Sequence, residues 1–393
     1  MKGSKLVILI GIVLLLGAAF YFISLKPEQN QSQKASSELL FSDVDPGTIK
    51  HITITDGVDT VGLTLKDSTW TVDEKSGYPS KYEKIHELVF NILQLKPSQK
   101  VTDNEENYEP LGVVIPPVDK EGTVITFRDK DDQKIAELVL GKIRKSSKDI
   151  DDGQYIRRGD EKDVYMITDE IRVMVDVKNW LDRDLMDVKE QDVQFVTIKH
   201  KDESANISLS RKKKGDDFEL ASAPNDKNLK KGEIKVLAGE LSHFRFDDVY
   251  PHDSEKVKDL SFDTVYTSTQ FNGLTYKIMI SEKDEKLYAK IEADYKEPAE
   301  HDKAKEEDKG EKSEEELKKE AEKEALEKVK KEEEKAELIK KAEEKNELFS
   351  RWIYELPSFR KNRLMKKAHD LWEDTKEDKN VSSPGADEHE SEE

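Results

Sequence analysis

Cysteine is absent from the 393 residues. Disulfides, thiolate nucleophiles and cysteine-based zinc sites are therefore excluded together. Positive charge is also in deficit, with 66 Lys and Arg against 86 Asp and Glu, a formal net charge of −20. Nucleic-acid binding needs clustered Lys and Arg that displace counterions from phosphates, so no nucleic-acid partner is expected. The best basic cluster, RKKKG at Arg211 to Gly215, is expected to be a hairpin tip.

Signatures of chemistry are missing too. No G-x-S-x-G elbow, P-loop or G-x-G-x-x-G occurs. The eight histidines show neither H-x-x-x-H nor H-E-x-x-H spacing, and His86 is expected to be a partly exposed structural residue on an amphipathic helix. KDIDDGQY, Lys148 to Tyr155, invites a calcium reading. Counted from Asp149, the sixth position, where an EF-hand loop needs glycine, is Gln154, and Gly153 falls one early. Asp152-Gly153 is instead expected as a hairpin turn. No catalytic residue, metal or cofactor is expected.

Long apolar runs are scarce, and the one present is decisive for placement. Leu6 to Ile23 is uninterrupted, and extended to Leu25 it makes a helix of roughly 30 Å, matching a bilayer's hydrocarbon core. Lys2 and Lys5 precede it and a polar segment follows, so the positive-inside rule puts the N-terminus in the cytoplasm. The expectation is a cytoplasmic stub and single-pass membrane anchor over residues 1–25, a linker over 26–38 and an extracytoplasmic remainder. A cleaved signal peptide, cut near Gly17 to Ala19, is the alternative.

Beyond the linker the pattern becomes short and alternating. IKHITITD, TVGLTLKD and TWTVDE (Ile49 to Glu74) predict three antiparallel strands with a turn at Asp56-Gly57. SKYEKIHELVFNILQL follows, with Ser80 and Glu83 at capping-box spacing and apolar residues at helical intervals from Ile85 to Leu93. Four more strands are predicted from Thr123, Ile135, Gln154 and Asp163, and a short helix over Glu170 to Val177 closes the unit. The order then repeats: strands from Val193, Ala205 and Asp217, a helical face from Ile234 to Phe244, and strands from Thr264, Leu274 and Lys286, with Asn272-Gly273 as a hairpin turn.

In the first copy the last two strands are joined by a tight turn. In the second, the partner of KLYAKIEA (Lys286 to Ala293) does not come until SRWIYELP at Ser350, followed by a closing helix. Everything between is an insertion in one hairpin tip, rich in Glu, Lys, Ala and Leu. These residues favour helix from about Ser313, supported by Glu and Lys at i, i+4 spacing. Leu317, Ala321, Ala325 and Val329 begin a coiled-coil seam that Glu332 and Glu333 interrupt. A solitary solvated helix is the leading expectation, with docking on the protein or a partner, or disorder, as alternatives.

The predicted fold class is α+β: an N-terminal transmembrane helix, two tandem similar lobes of antiparallel sheet with helices on one face, and a long charged helical insertion in a hairpin of the second lobe. The boundaries are 39–185 for the first repeat, 186–293 plus 350–373 for the second, 294–349 for the insertion and 374–393 for a disordered acidic tail. Trp180, Arg183 and Asp184 of WLDRDL are the candidate contact residues at the junction of the lobes.

LLFSDVDPGTIKHITITDG (Leu39 to Gly57), the Trp70 strand, WLDRDL and WIYELPSF from Trp352 together resemble the bacterial family known as domain of unknown function four-three-four-zero. The resemblance runs from Leu39 to about Trp372, with the charged insertion and acidic tail as departures. It implies a single-pass envelope protein of the kind often encoded beside ABC-type transporters of the gliding-associated class, and supplies no catalytic residues. The functional expectation is a non-enzymatic accessory of an ABC-type transport or envelope-assembly complex. Its partners would be the inner membrane, through residues 6–25, and an ABC-type permease or other envelope proteins. The alternative is a module binding polysaccharide, lipid or peptide between the lobes.

Overall fold

The computed structural model describes residues 38–118, 120–145, 152–221, 223, 227–298 and 314–373. The expected anchor, all but the last residue of the linker, residues 299–313 of the insertion and the acidic tail lie outside those residues. So does the first half of the stretch considered for calcium, Lys148 to Asp151. Among the described residues, no helix is long and apolar enough to cross a membrane. The fold is α+β, with large antiparallel sheets and few helices.

In the first half the alternating runs become β1 (His51–Thr55), β2 (Thr60–Lys66) and β3 (Thr69–Val72), followed by the two-residue β4 (Tyr78–Pro79). Ile52, Ile54, Val61 and Leu63 are buried, each such side chain contributing about 1.5–3 kcal/mol. Helix α1 (Tyr82–Leu93) buries Ile85, Leu88, Ile92 and Leu93. Just before it, the Ser80 hydroxyl donates to the Trp180 carbonyl at 2.6 Å. Then come β5 (Gln99–Thr102), β6 (Thr123–Arg128), β7 (Lys134–Arg144), β8 (Gly153–Arg158) and β9 (Val164–Ile167), in a nine-stranded sheet of order β4-β3-β2-β1-β6-β7-β8-β9-β5.

No helix forms over Glu170 to Val177. The chain there is irregular up to a 3-10 turn at Val177–Asn179. Ile171, Val173, Val175 and Val177 are half-buried while Arg172, Met174 and Asp176 are exposed. That two-residue period, carried by β-branched side chains, belongs to extended backbone.

The second half holds β10 (Asp184–Met186), β11 (Val193–Lys199), β12 (Ile207–Ser210), β13 (Glu219–Leu220), β14 (Asn228–Leu229), α2 (Lys231–Ala238), β15 (Phe244–Arg245) and β16 (Asp248–Pro251). It continues with β17 (Thr264–Gln270), β18 (Leu274–Lys283), β19 (Lys286–Tyr295), α3 (Glu314–Phe349), β20 (Trp352–Leu356) and β21 (Trp372–Glu373). Its eight-stranded sheet has the order β13-β12-β11-β17-β18-β19-β20-β16. With β4 set aside, the two sheet orders coincide strand for strand, β5 and β16 taking the same terminal place. Asn272-Gly273 makes the β17–β18 turn with Gly273 at φ 89, where an added Cβ would lie 2.1 Å from the Lys296 carbonyl oxygen. The closing helix is reduced to Lys361–Leu364 between 3-10 turns at Ser358–Arg360 and Ala368–Leu371.

Contacts divide the described residues into one unit, within 38–70 and 82–179, and another, within 71–81 and 180–373. This differs from the sequence boundaries in two ways. The division falls at Trp180 rather than 186, and the stretch Thr71–Lys81 belongs with the second unit.

Helix α3 sits between two strands that pair with each other, with Leu287 opposite Leu356 and Ala289 opposite Tyr354. It is not solitary. Its last turns pack along β19, burying Ala342 and Phe349, and the Asn346 side-chain amide accepts from the Ala293 N–H at 2.8 Å and donates to the Ala293 carbonyl at 2.7 Å. One side chain thus satisfies the backbone of β19 where β20 no longer reaches it. Lys335 pairs with Glu297 at 3.3 Å. From Ala325 to Glu334 the helix is exposed, with Leu326 at 72%.

Candidate functional site

The stretch Thr71–Lys81 is built to deliver side chains. A 3-10 turn at Asp73–Lys75 ends in Ser76 at φ 54 and Gly77 at φ 80, which reverses the chain into β4. Tyr78 is then 1% exposed and lies edge-on to Phe246 and Trp352, with centroids 5.3 and 5.1 Å away, and to Tyr354 at 6.3 Å. Burial pushes its phenol pKa well above the ordinary range. Lys75 forms a close ion pair with Asp248.

Trp180, Arg183 and Asp184 lie beside the same stretch. Trp180 is buried, and its carbonyl accepts from the Ser80 hydroxyl and, at 3.1 Å, from the Lys81 N–H. Arg183 donates from Nε to the Phe246 carbonyl at 2.6 Å and from Nη2 to Asp247 at 2.7 Å. Asp184 pairs with Arg245 at 2.8 Å and Lys81 at 3.2 Å. All these partners belong to the second unit, where they tie β10 to β15 and to the 71–81 stretch.

The densest polar constellation was not visible in the sequence. β16 pairs with β20 so that Asp248 faces Glu355. The Tyr250 hydroxyl lies 3.1 Å from Asp248 Oδ2 and 2.9 Å from Glu355 Oε2, and accepts from Lys256 at 2.8 Å. Lys286 donates to Glu355 Oε1 at 2.7 Å, and Asp248 Oδ1 takes Lys75 and the Val249 N–H. Burial, with the two carboxylates, raises the Tyr250 phenol pKa far above its usual value. The single Tyr250 proton serves Asp248 Oδ2 or Glu355 Oε2, and lysines and a backbone N–H serve the other two carboxylate oxygens, so the cluster ties strands together.

Two further features share this unit. Glu240, whose side chain is fully buried, pairs with Arg360 at 2.7 Å and Arg363 at 3.3 Å, and burial raises its pKa in spite of them. A cavity of about 470 Å³ is lined by Lys230, Glu233, Lys361, Asn362, Lys366 and Asp370. Its charges are largely paired: Lys366 with Glu233, and Lys361 with Glu282 at 2.5 Å. Arg211, the first residue of the basic cluster, is buried and bonded to Glu190 at 2.8 Å, so only the rest of that cluster forms the loop between β12 and β13.

In the first unit the notable surface is apolar. Tyr82, His86 and Phe90 form a row on the outer face of α1, centroids 6.1 and 6.2 Å apart, with the last two rings parallel within 10°. His86 is exposed rather than half-buried. A groove of about 270 Å³ runs beside this row, lined by Leu39, Phe41, Val44, Val89, Phe90 and Leu93 among others. Among the described residues, no group of three or more His, Asp or Glu is placed to hold a metal ion.

The family model described as "Domain of unknown function (DUF4340)" matches residues 70–265. That is the family whose resemblance the sequence carries, and the match spans just under half of the chain. No curated protein and no solved structure matches the chain. The DUF4340 match takes in the 71–81 stretch, the Trp180–Asp184 knot and β16, and leaves β18, β19, α3 and β20 outside it.

Proposed function

We propose that this is a membrane-anchored extracytoplasmic accessory protein of an ABC-type transport or envelope-assembly complex, non-enzymatic and acting through protein–protein contacts. The anchor is the apolar run within residues 6–25, with the N-terminus cytoplasmic, in the inner membrane of a bacterium. The observation that carries this reading is α3, a helix of 36 residues rooted on β19 by its last turns and exposed from Ala325 to Glu334. A long charged helix held at one end suits contact with another protein, and the neighbouring carboxylate clusters are closed by internal partners.

The matching strand orders support a second part of the same reading, that one sheet-plus-helix module, its helices on one face, was copied in tandem and the later copy received α3 in a hairpin. Affinity capture of the full chain from gently solubilised membranes tests the function. Permease and ATPase subunits are expected to co-purify, and to be depleted when the outer turns of α3 are shortened. Recovery of the protein alone would sink the proposal.

A further inference from the structure

From the aromatic row on α1 we infer that this face of the first unit docks onto the lipid bilayer, with Tyr82, His86 and Phe90 seated at the headgroup level. The inference rests on the proposed reading that the run within residues 6–25 spans the membrane. A solvated helix face is ordinarily polar. Here Tyr82 and Phe90 are 62% and 55% exposed, aligned four residues apart through His86, while the opposite face is fully used by Ile85, Leu88, Ile92 and Leu93.

The position of the chain decides the occupant. Leu39, the second described residue, itself lines the groove beside Phe90. Residues 26–38 reach at most about 45 Å when fully extended, and as a flexible coil they average about 20 Å. The groove is therefore tethered at the root of the anchor, where the bilayer is a large apolar body permanently within reach and its effective concentration is high. Rings with one polar edge, such as Tyr and His, suit the boundary between headgroups and acyl chains. Glu83 and Glu87 flank the row together with Lys84, so no net positive charge calls for anionic lipid, and the attraction is that of the rings for a zwitterionic interface.

The absence of cysteine makes a site-specific test direct. Nitroxide labels are attached to single-cysteine variants Tyr82→Cys, Phe90→Cys, Leu15→Cys and Leu326→Cys of the full chain in phosphatidylcholine nanodiscs. Collision with oxygen, which concentrates in lipid, is compared with collision with an aqueous nickel chelate. The expected result is a shift toward oxygen at positions 82 and 90 relative to 326, with 15 the most lipid-like. Labels at 82 and 90 as open to nickel as that at 326, with 15 still in lipid, would overturn the docking and leave the anchor standing. Shielding of 82 and 90 from both reagents would assign the face to a protein instead and also overturn it. An aqueous label at 15 would remove the anchor and the docking together.

Discussion

β5 and β16 end two sheets of the same strand order, and they close those ends by different physics. At β5, Lys100 pairs with Asp163 at 2.7 Å and Asp103 at 3.0 Å, with all three side chains partly or well exposed. At β16, Asp248, Tyr250 and Glu355 are buried and cross-linked by lysines, one of which comes from the distant 71–81 stretch. A free strand edge invites pairing with another chain. The first edge is guarded by solvated charge, which is weak and salt-sensitive. The second is sealed by a buried network, which is strong only while every member is present. Topology fixed where the edges fall, and a few side chains decided how firmly each is closed.

The largest test of that contrast is Tyr78→Ala, which removes a buried ring that has no counterpart on the second sheet. A loss of about 3–5 kcal/mol is expected in urea unfolding of the second unit, and a loss below about 1 kcal/mol would mean that the 71–81 stretch is not integral to it. Next comes a matched pair of changes. Asp248→Ala strands Lys75 and is expected to destabilise by about 3 kcal/mol, whereas Asp163→Ala at the other edge should cost less than about 1 kcal/mol; equal effects would erase the distinction. Asn346→Ala leaves the Ala293 N–H and carbonyl without their partner and should cost about 1–2 kcal/mol, seen as faster amide exchange in β19 and in the last turns of α3.

The smallest expected effect is on pH dependence. Burial lowers the pKa of Lys345 below 10.5, and its ammonium donates to the Leu185 carbonyl at 2.9 Å. Between its folded value and 10.5 the folded chain binds fewer protons at this site than the unfolded chain, so this contribution makes folding more favourable as pH rises through that window. Lys345→Met should flatten that part of the profile. Parallel profiles for the two proteins would contradict the assignment.

The long alternating strands were legible because burial on one face imposes a period of two: β1 and β2 in the first sheet, and β17 to β19 in the second, follow directly from the sequence. The two edge strands were not. β5 and β16 have four residues each and take their pairing from β9 and β20, 65 and 104 residues downstream from start to start, a distance over which no local pattern carries information. Asp247 to Pro251 therefore carries no hydrophobic strand signal of its own, and with it the Asp248–Glu355 pairing was invisible. The one available signal was the alternation of Asp248, Tyr250 and His252 on one side of an extended segment. Glu170 to Val177 misled in the opposite direction, since Ile171, Met174 and Val175 fit a helix while the β-branched residues at 171, 173, 175 and 177 follow a strand period. Trp180, Arg183 and Asp184 were expected as contacts at the junction of the lobes, whereas the partners described for them all lie in the second unit, those of Trp180 and one of Asp184's in the 71–81 stretch about a hundred positions earlier.

The anchoring of α3 by its final turns has a mechanical consequence. From Lys335 back to Glu314 the helix rises about 30 Å beyond its seat on β19, so whatever grips the tip is held at a set stand-off, and a sideways pull there acts as a lever on Asn346 and hence on the middle of a sheet. A bend or break in its shaft would uncouple tip from base without unfolding either.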